Sequence, residues 1–185
     1  MKTIITVIFA GILTYTGAQN SGCQLESGLH AMRYFEINDF FKGNWYATHV
    51  KDATKEAVCQ KYKASRDNYD VKLEPEGDSK TQGATCPSTR ISMVGSPGSF
   101  SFTCQQSNQN GGTAKSISFT VLWTIIETDY NDYALAYRCT RYSGNSNLSG
   151  NLVLLHRKKT ADGTNAAKIL TKHHLSLSNF KNLKC

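Results

Sequence analysis

The clearest pattern in the chain is an alternation: Ile117, Phe119, Val121, Trp123 and Ile125 are separated by Ser116, Ser118, Thr120, Leu122 and Thr124. A period of two predicts a strand with one face in a core. Tyr69, Val71 and Leu73 alternate with Asp70, Lys72 and Glu74 and predict a second strand, ended by Pro75 and Gly77. Trp45 to Val50 reads as a strand with Trp45, Ala47 and His49 on one face, and residues 58–65 are a further candidate. Residues 84–93 and 99–106 predict a hairpin around Gly95-Ser96-Pro97-Gly98, with Phe100, Phe102 and Cys104 sharing one side of its second arm. After a turn at Asp129–Asp132 the strand pattern resumes from Tyr133 to Cys139, and Leu152–Leu155 is a continuous apolar run. Gln19 to Gly43 opens irregularly, and Ser143–Gly150 is a polar loop. Beyond Asp162-Gly163, Thr164 is placed to cap a short helix reaching about His173. Strands joined by short turns, then one helix, exclude βαβ units. The pattern predicts an all-β fold: an eight-stranded antiparallel up-and-down barrel with a C-terminal helix, whose interior takes one small ligand.

If Trp45 points inward, parity sends His49, Tyr69, Val71, Phe100, Phe102, Ile117, Phe119, Val121, Trp123 and Tyr137 inward as well. His49, Tyr69, Phe102, Phe119, Trp123 and Tyr137 are the candidate ligand contacts, because aromatic faces stack on planar bases or flank lipid tails. For a cationic ligand, Asp39, Glu56, Asp70 and Glu74 are candidate acids near a mouth.

The first eighteen residues differ from the rest. Lys2, a largely apolar run from Ile4 to Leu13 and small residues at Thr16-Gly17-Ala18 predict a secretory leader over 1–18, leaving one domain over 19–185. The net charge of +7 falls to +6 when Lys2 is removed, which favours anionic partners in long-range encounter. All six cysteines, Cys23, Cys59, Cys86, Cys104, Cys139 and Cys185, lie in the mature part, as in a disulfide-bonded extracellular protein. Six cysteines allow about 15 pairings. Only Cys86 with Cys104 follows locally, across the hairpin. There is no CxxC, GxSxG, HExxH or Walker loop, so neither an enzyme nor a metal or cofactor site is expected. Asn147-Leu148-Ser149 is a glycosylation acceptor pattern.

Gly43-Asn44-Trp45-Tyr46 resembles the GxW motif at the first strand of a lipocalin, and Thr128-Asp129-Tyr130 resembles the TDY motif between strands six and seven. Arg157 stands at the end of the eighth strand, where lipocalins place an arginine against the first-strand tryptophan. Gly43, Trp45, Asp129 and Arg157 thereby take structural roles. The segments Asn44–His49 and Thr128–Leu135 are similar to those of the salivary lipocalins of blood-feeding triatomine bugs, the triabin-, pallidipin- and nitrophorin-related family. That resemblance covers the whole chain. It implies the pairs Cys23–Cys139, Cys59–Cys185 and Cys86–Cys104. It also implies a protein of saliva that impairs haemostasis, and a monomer is expected. Haem carriage is not implied, since no histidine lies between His49 and His156 and the matching region Tyr69–Glu74 has none. With the basic balance, the first expectation is a platelet aggregation inhibitor that sequesters ADP or another adenine nucleotide. Alternatives are a scavenger of thromboxane, other eicosanoids or biogenic amines, and a protein that binds thrombin or a contact-pathway component.

Overall fold

The structure, a computed structural model, describes residues 23–52, 57–76, 84–90, 97–108, 115–143 and 148–185. The leader expected at 1–18, Glu56, the hairpin residues Gly95 and Ser96, and Asn147 lie outside the described residues.

The described elements, in chain order, begin with a single helical turn α1 (Ile37–Phe40), then β1 (Asn44–Lys51), β2 (Gln60–Asp67) and β3 (Asp70–Glu76). Two short strands follow, β4 (Ala84–Thr85) and β5 (Thr89–Arg90), and then β6 (Ser99–Asn108), β7 (Lys115–Thr128), β8 (Tyr133–Tyr142) and β9 (Leu148–His156). A 3-10 turn at Thr164–Ala166 leads into α2 (Ala167–Lys172), and a second one at Leu177–Asn179 leads into β10 (Phe180–Asn182). The long strands are antiparallel in the order β6-β7-β8-β9-β1-β2-β3, with β4 on the β6 edge and β5 on the β3 edge. The result is a nearly closed barrel of eight strand positions with a short C-terminal helix, a lipocalin architecture.

One strand expected from the sequence is divided. The run 84–93 does not simply form a hairpin arm with 99–106. Ala84 and Thr85 pair with Gln106 and Gln105 of β6, whereas Thr89 and Arg90 pair with Val71 and Asp70 of β3. Pro87 lies between them and cannot donate to a ladder, so the segment crosses from one neighbour to the other and closes the barrel.

The expected helix also differs. Thr164 does not cap it; Asp162 Oδ1 accepts from the Thr164 backbone N–H at 3.0 Å and from its hydroxyl at 2.7 Å. The carboxylate satisfies the orphan donor that a cap would otherwise take.

Two apolar cores result. The inner one fills the barrel and includes Phe40, Trp45, Val71, Phe102, Phe119, Trp123, Ile125 and Leu155. The outer one, under α2 and β10, includes Leu29, Leu135, Leu154, Ile169, Leu170 and Phe180. On the edge of β1 that β2 holds from Asn44 to Ala47, β10 takes over from His49 to Lys51. Three disulfides form, Cys23–Cys139, Cys59–Cys185 and Cys86–Cys104. The first two fasten the two ends of the described chain to the barrel.

Candidate functional site

The closed end is built around Trp45. Gly43 turns into β1 with φ +68, a left-handed conformation that glycine adopts without cost. Trp45 is fully buried, stacks on Phe40 at 5.0 Å and donates from its indole N–H to the Phe40 carbonyl at 3.0 Å. The Arg157 guanidinium lies 3.6 Å from the Trp45 ring centroid. It donates to the carbonyls of Tyr130, Asn44, Asp39, Phe40 and Lys42. Burial lowers the Arg157 pKa to about 10, against an opposing pull from Asp129, so it remains a cation at neutral pH. Asp129 caps the β7–β8 turn by accepting from the backbone N–H groups of Asn131, Asp132 and Tyr133. A shallow depression of about 330 Å³ outside this end is lined by Lys42, Gly43, Asn44, Tyr130, Asn131 and Arg157. Its guanidinium is spent on carbonyl oxygens, so it makes a poor anion site.

Above this plug, Tyr62 of β2 and Trp123 of β7 meet edge to face with ring centroids 5.2 Å apart. Their strands lie on opposite walls of the barrel. The contact therefore spans the interior and forms a floor. Beyond it toward the open end, the inward face carries Val121, Phe119, Phe102 and the Cys86–Cys104 disulfide, all buried. The polar positions on the same face are Arg138 and Thr140 of β8, opposite Trp123 and Val121, and Asn151 of β9, opposite Arg138. Arg138 is exposed, and its guanidinium lies 5.9 Å from the Trp123 ring centroid.

Of the six candidate ligand contacts, Phe102, Phe119 and Trp123 belong to the inner core. The other three are corrected. His49 is on the outer face. The pairing of β1 with β9 slips between Ala47 and His49, so Ala47 opposes inner Leu155 while His49 opposes outer Leu154. This bulge inserts Thr48 and reverses the parity. Tyr69 is 60 % exposed in the β2–β3 turn, because β3 begins one residue later than expected, at Asp70, and Asn68 before it turns the chain with φ +52. Tyr137 opposes outer Leu152 and packs against the outer core. The bare backbone of Gly150 makes room for it; a Cβ there would stand 2.0 Å from the Tyr137 hydroxyl.

Arg138 and Asn151 were missed. The signal was available in the alternation Ala134, Ala136, Arg138, Thr140, whose small apolar members mark the inward face. The three acids considered for a cationic ligand that are described here do not reach the interior. Asp39 pairs with Lys42 at the closed end. Asp70 and Glu74 alternate with inward Val71 and Leu73, and Glu74 pairs with Lys72.

His49 instead joins a buried polar cluster on the outer face. Thr48 Oγ1 lies 2.8 Å from His49 Nδ1 and 2.6 Å from His156 Nδ1. Asn182 of β10 reaches His49 Nε2 at 3.1 Å, tying the C-terminal segment to β1. His156 Nε2 is buried without a partner. Burial, with help from His49, pushes the His156 pKa down to about 4, and burial also lowers His49. Both rings are neutral at physiological pH. His173 bonds Glu127 at 2.8 Å beside Lys172 and anchors α2 to β7.

A closed-ended barrel with a stacked tryptophan and arginine at its base and an aromatic floor above them is a lipocalin. More narrowly, the chain belongs to the Triabin family, whose profile matches residues 17–169. It is 33% identical to triafestin-1 of Triatoma infestans over 85% of this chain and 79% of that one. It is also 33% identical to the platelet inhibitor triplatin-2 of the same species, over 86% of this chain and 84% of that protein. A structure of an LTBP1 mutant in complex with leukotriene C4 superposes with TM-score 0.61 at 27% identity, covering 89% of this chain and 99% of that one.

Proposed function

We propose that this protein is secreted in saliva and sequesters a small anionic platelet agonist inside its barrel, lowering the agonist's free concentration in host blood. The observation that supports this reading is the Tyr62–Trp123 floor with exposed Arg138 at the same level. Arg138 is inward in register and still exposed, so its guanidinium is accessible from solvent while the aromatic lining beside it is buried. The platelet-inhibitor relative and the leukotriene-bound neighbour support the same reading. ADP, expected from the sequence, and an eicosanoid share the required chemistry: a negative group for Arg138 and a flat or apolar body for the aromatic lining. A biogenic amine fits less well, because its charge would meet Arg138 and the described acids that could have received it face elsewhere. No bond is made or broken, so inhibition is stoichiometric and requires a dissociation constant below the agonist's concentration.

Native mass spectrometry of the oxidised protein after exposure to a mixture of nucleotides, amines and eicosanoids tests this reading. The expected result is one retained anionic ligand per chain. Retention of an amine alone, or of nothing while the protein still inhibits a clotting enzyme, would overturn it.

A further inference from the structure

The formal charge of +7 is not spread evenly along the chain. Residues 157–185 hold Arg157, six lysines and a single acid, Asp162, and so carry +6. Residues 19–156 hold 13 basic and 13 acidic side chains and carry none. Apart from Lys2, the whole surplus therefore rides on the C-terminal segment, every residue of which is described.

This segment is a fixed cover on the outer face of the barrel. A Cβ at Gly163 would stand 2.9 Å from Leu177 and 3.1 Å from His49, and Asn182 reaches His49 Nε2 at 3.1 Å. The loop after β9, the second 3-10 turn and β10 thus converge on one buried side chain. β10 pairs with β1, and Cys185 is bridged to Cys59. α2 buries Ile169 and Leu170 in the outer core, which turns Lys168 to solvent. Lys158, Lys159, Lys168 and Lys184 are exposed and form no salt bridge with a described acid. Arg157 is spent on the plug and Lys172 on Glu127. The exposed large apolar side chains among the described residues, Tyr34, Val58, Tyr69, Ile117 and Tyr142, all lie outside this segment. An element that settles into a lipid surface needs an apolar face beside its lysines, and the cover offers none.

We propose that the C-terminal cover is a binding surface for a sulfated polysaccharide of the heparin type. Lysine ammonium groups are compact charges on flexible stems, suited to sulfates whose positions vary along a chain, whereas two-toothed recognition calls for arginine. A linear polyanion can follow lysines set on a loop, a helix and a strand end, and it releases counterions where they neutralise it. With the rest of the domain balanced in charge, the long-range field is directed at this face. The surface lies outside the barrel wall, so a glycan and a barrel ligand bind without competing. A protein held on the sulfated chains of host tissue stays where it is delivered while blood flows past.

The test is isothermal titration of the full disulfide-bonded protein with a heparin oligosaccharide of defined length. Wild type is expected to bind it, with affinity falling about tenfold or more between about 0.05 M and about 0.2 M NaCl. Lys158→Ser with Lys159→Ser, and Lys168→Ser with Lys184→Ser, should each weaken binding about tenfold while thermal melts stay unchanged. Lys63→Ser with Lys72→Ser removes the same charge from β2 and β3. Salt screens such distant charges, so that control should leave affinity within about twofold. Equal weakening by the control would reduce the effect to net charge and overturn the assignment of the surface. Equal binding of hyaluronan, which is anionic but unsulfated, would overturn the sulfated partner. So would tighter binding to phosphatidylcholine–phosphatidylserine vesicles than to heparin. An absence of salt-sensitive heparin binding in wild type would overturn the proposal outright and leave the reading of the barrel untouched.

Discussion

Tyr62 and Trp123 touch edge to face at 5.2 Å although their strands stand on opposite walls of the barrel. This contact ties two opposite walls of the barrel together through its interior. Edge-to-face pairs add to the area that large rings bury. Truncating Trp123 to alanine removes both the pair and much of the floor, and should cost about 3–5 kcal/mol in urea unfolding. Trp123→Phe keeps a ring there and should cost clearly less. Equal losses for the two variants would show that the ring contact carries no packing.

Arg157 cannot be replaced by lysine without loss. It covers the Trp45 face and donates to five carbonyl oxygens. An ammonium has neither the plane nor the fork to do both. Arg157→Lys is expected to lower stability by about 2 kcal/mol or more, with ligand affinity unchanged, because the plug lies below the floor. Thermal melts read the first effect and titration calorimetry the second.

The buried histidines give the fold a dependence on pH above the range of the carboxylates. His156 has its pKa lowered from 6.5 to about 4 in the folded protein, and His49 is shifted in the same direction. The unfolded chain therefore takes up protons first. The stabilising contribution is fully present above pH 6.5, declines as pH falls, and for His156 is exhausted near pH 4. The integrated effect of His156 is on the order of 3 kcal/mol. Urea midpoints at pH 7.5 and pH 5 should show a loss in wild type and a smaller one in His156→Gln. A flat profile between these pH values would contradict the neutral, buried state of the pair.

Cys86–Cys104 joins the segment that closes the barrel to β6, where only a two-residue strand does so by hydrogen bonds. The bridge closes a loop of sequence separation 18. Chain entropy alone assigns it about 3 kcal/mol. The double variant Cys86→Ala with Cys104→Ala should lose about that much and bind ligand less tightly, since Cys104 is part of the upper wall. Equilibrium unfolding and calorimetry check both halves of the expectation.

Much of the barrel was legible in the sequence, because strict alternation carries strand type and facing at once. Trp45, Ala47, Val71, Phe100, Phe102, Phe119, Val121 and Trp123 all belong to the inner core that their parity indicates. Parity failed where the ladder slips or stops. His49 follows a bulge at Thr48, and nothing local in Ala47-Thr48-His49 announces the extra residue. Tyr69 lies in the turn just before β3 begins at Asp70. Parity also places Tyr137 inward, yet the alanines at 134 and 136 are the inward ones and Tyr137 covers Gly150 outside. The candidate site was thus half visible: its aromatic lining could be read directly, whereas its cation depended on the register of β8 against β7. The division of one strand into β4 and β5 follows from Pro87 only once both neighbours are known.

The central claim is that ligand rests above the Tyr62–Trp123 floor. The chain has two tryptophans, Trp45 in the plug and Trp123 in the floor. Titrating wild type and Trp123→Phe with arachidonate while recording tryptophan emission separates them. The expected result is a saturable emission change in wild type that disappears in Trp123→Phe, where only Trp45 reports. The same change in both proteins, or none in wild type despite measurable binding, would contradict ligand binding above the floor.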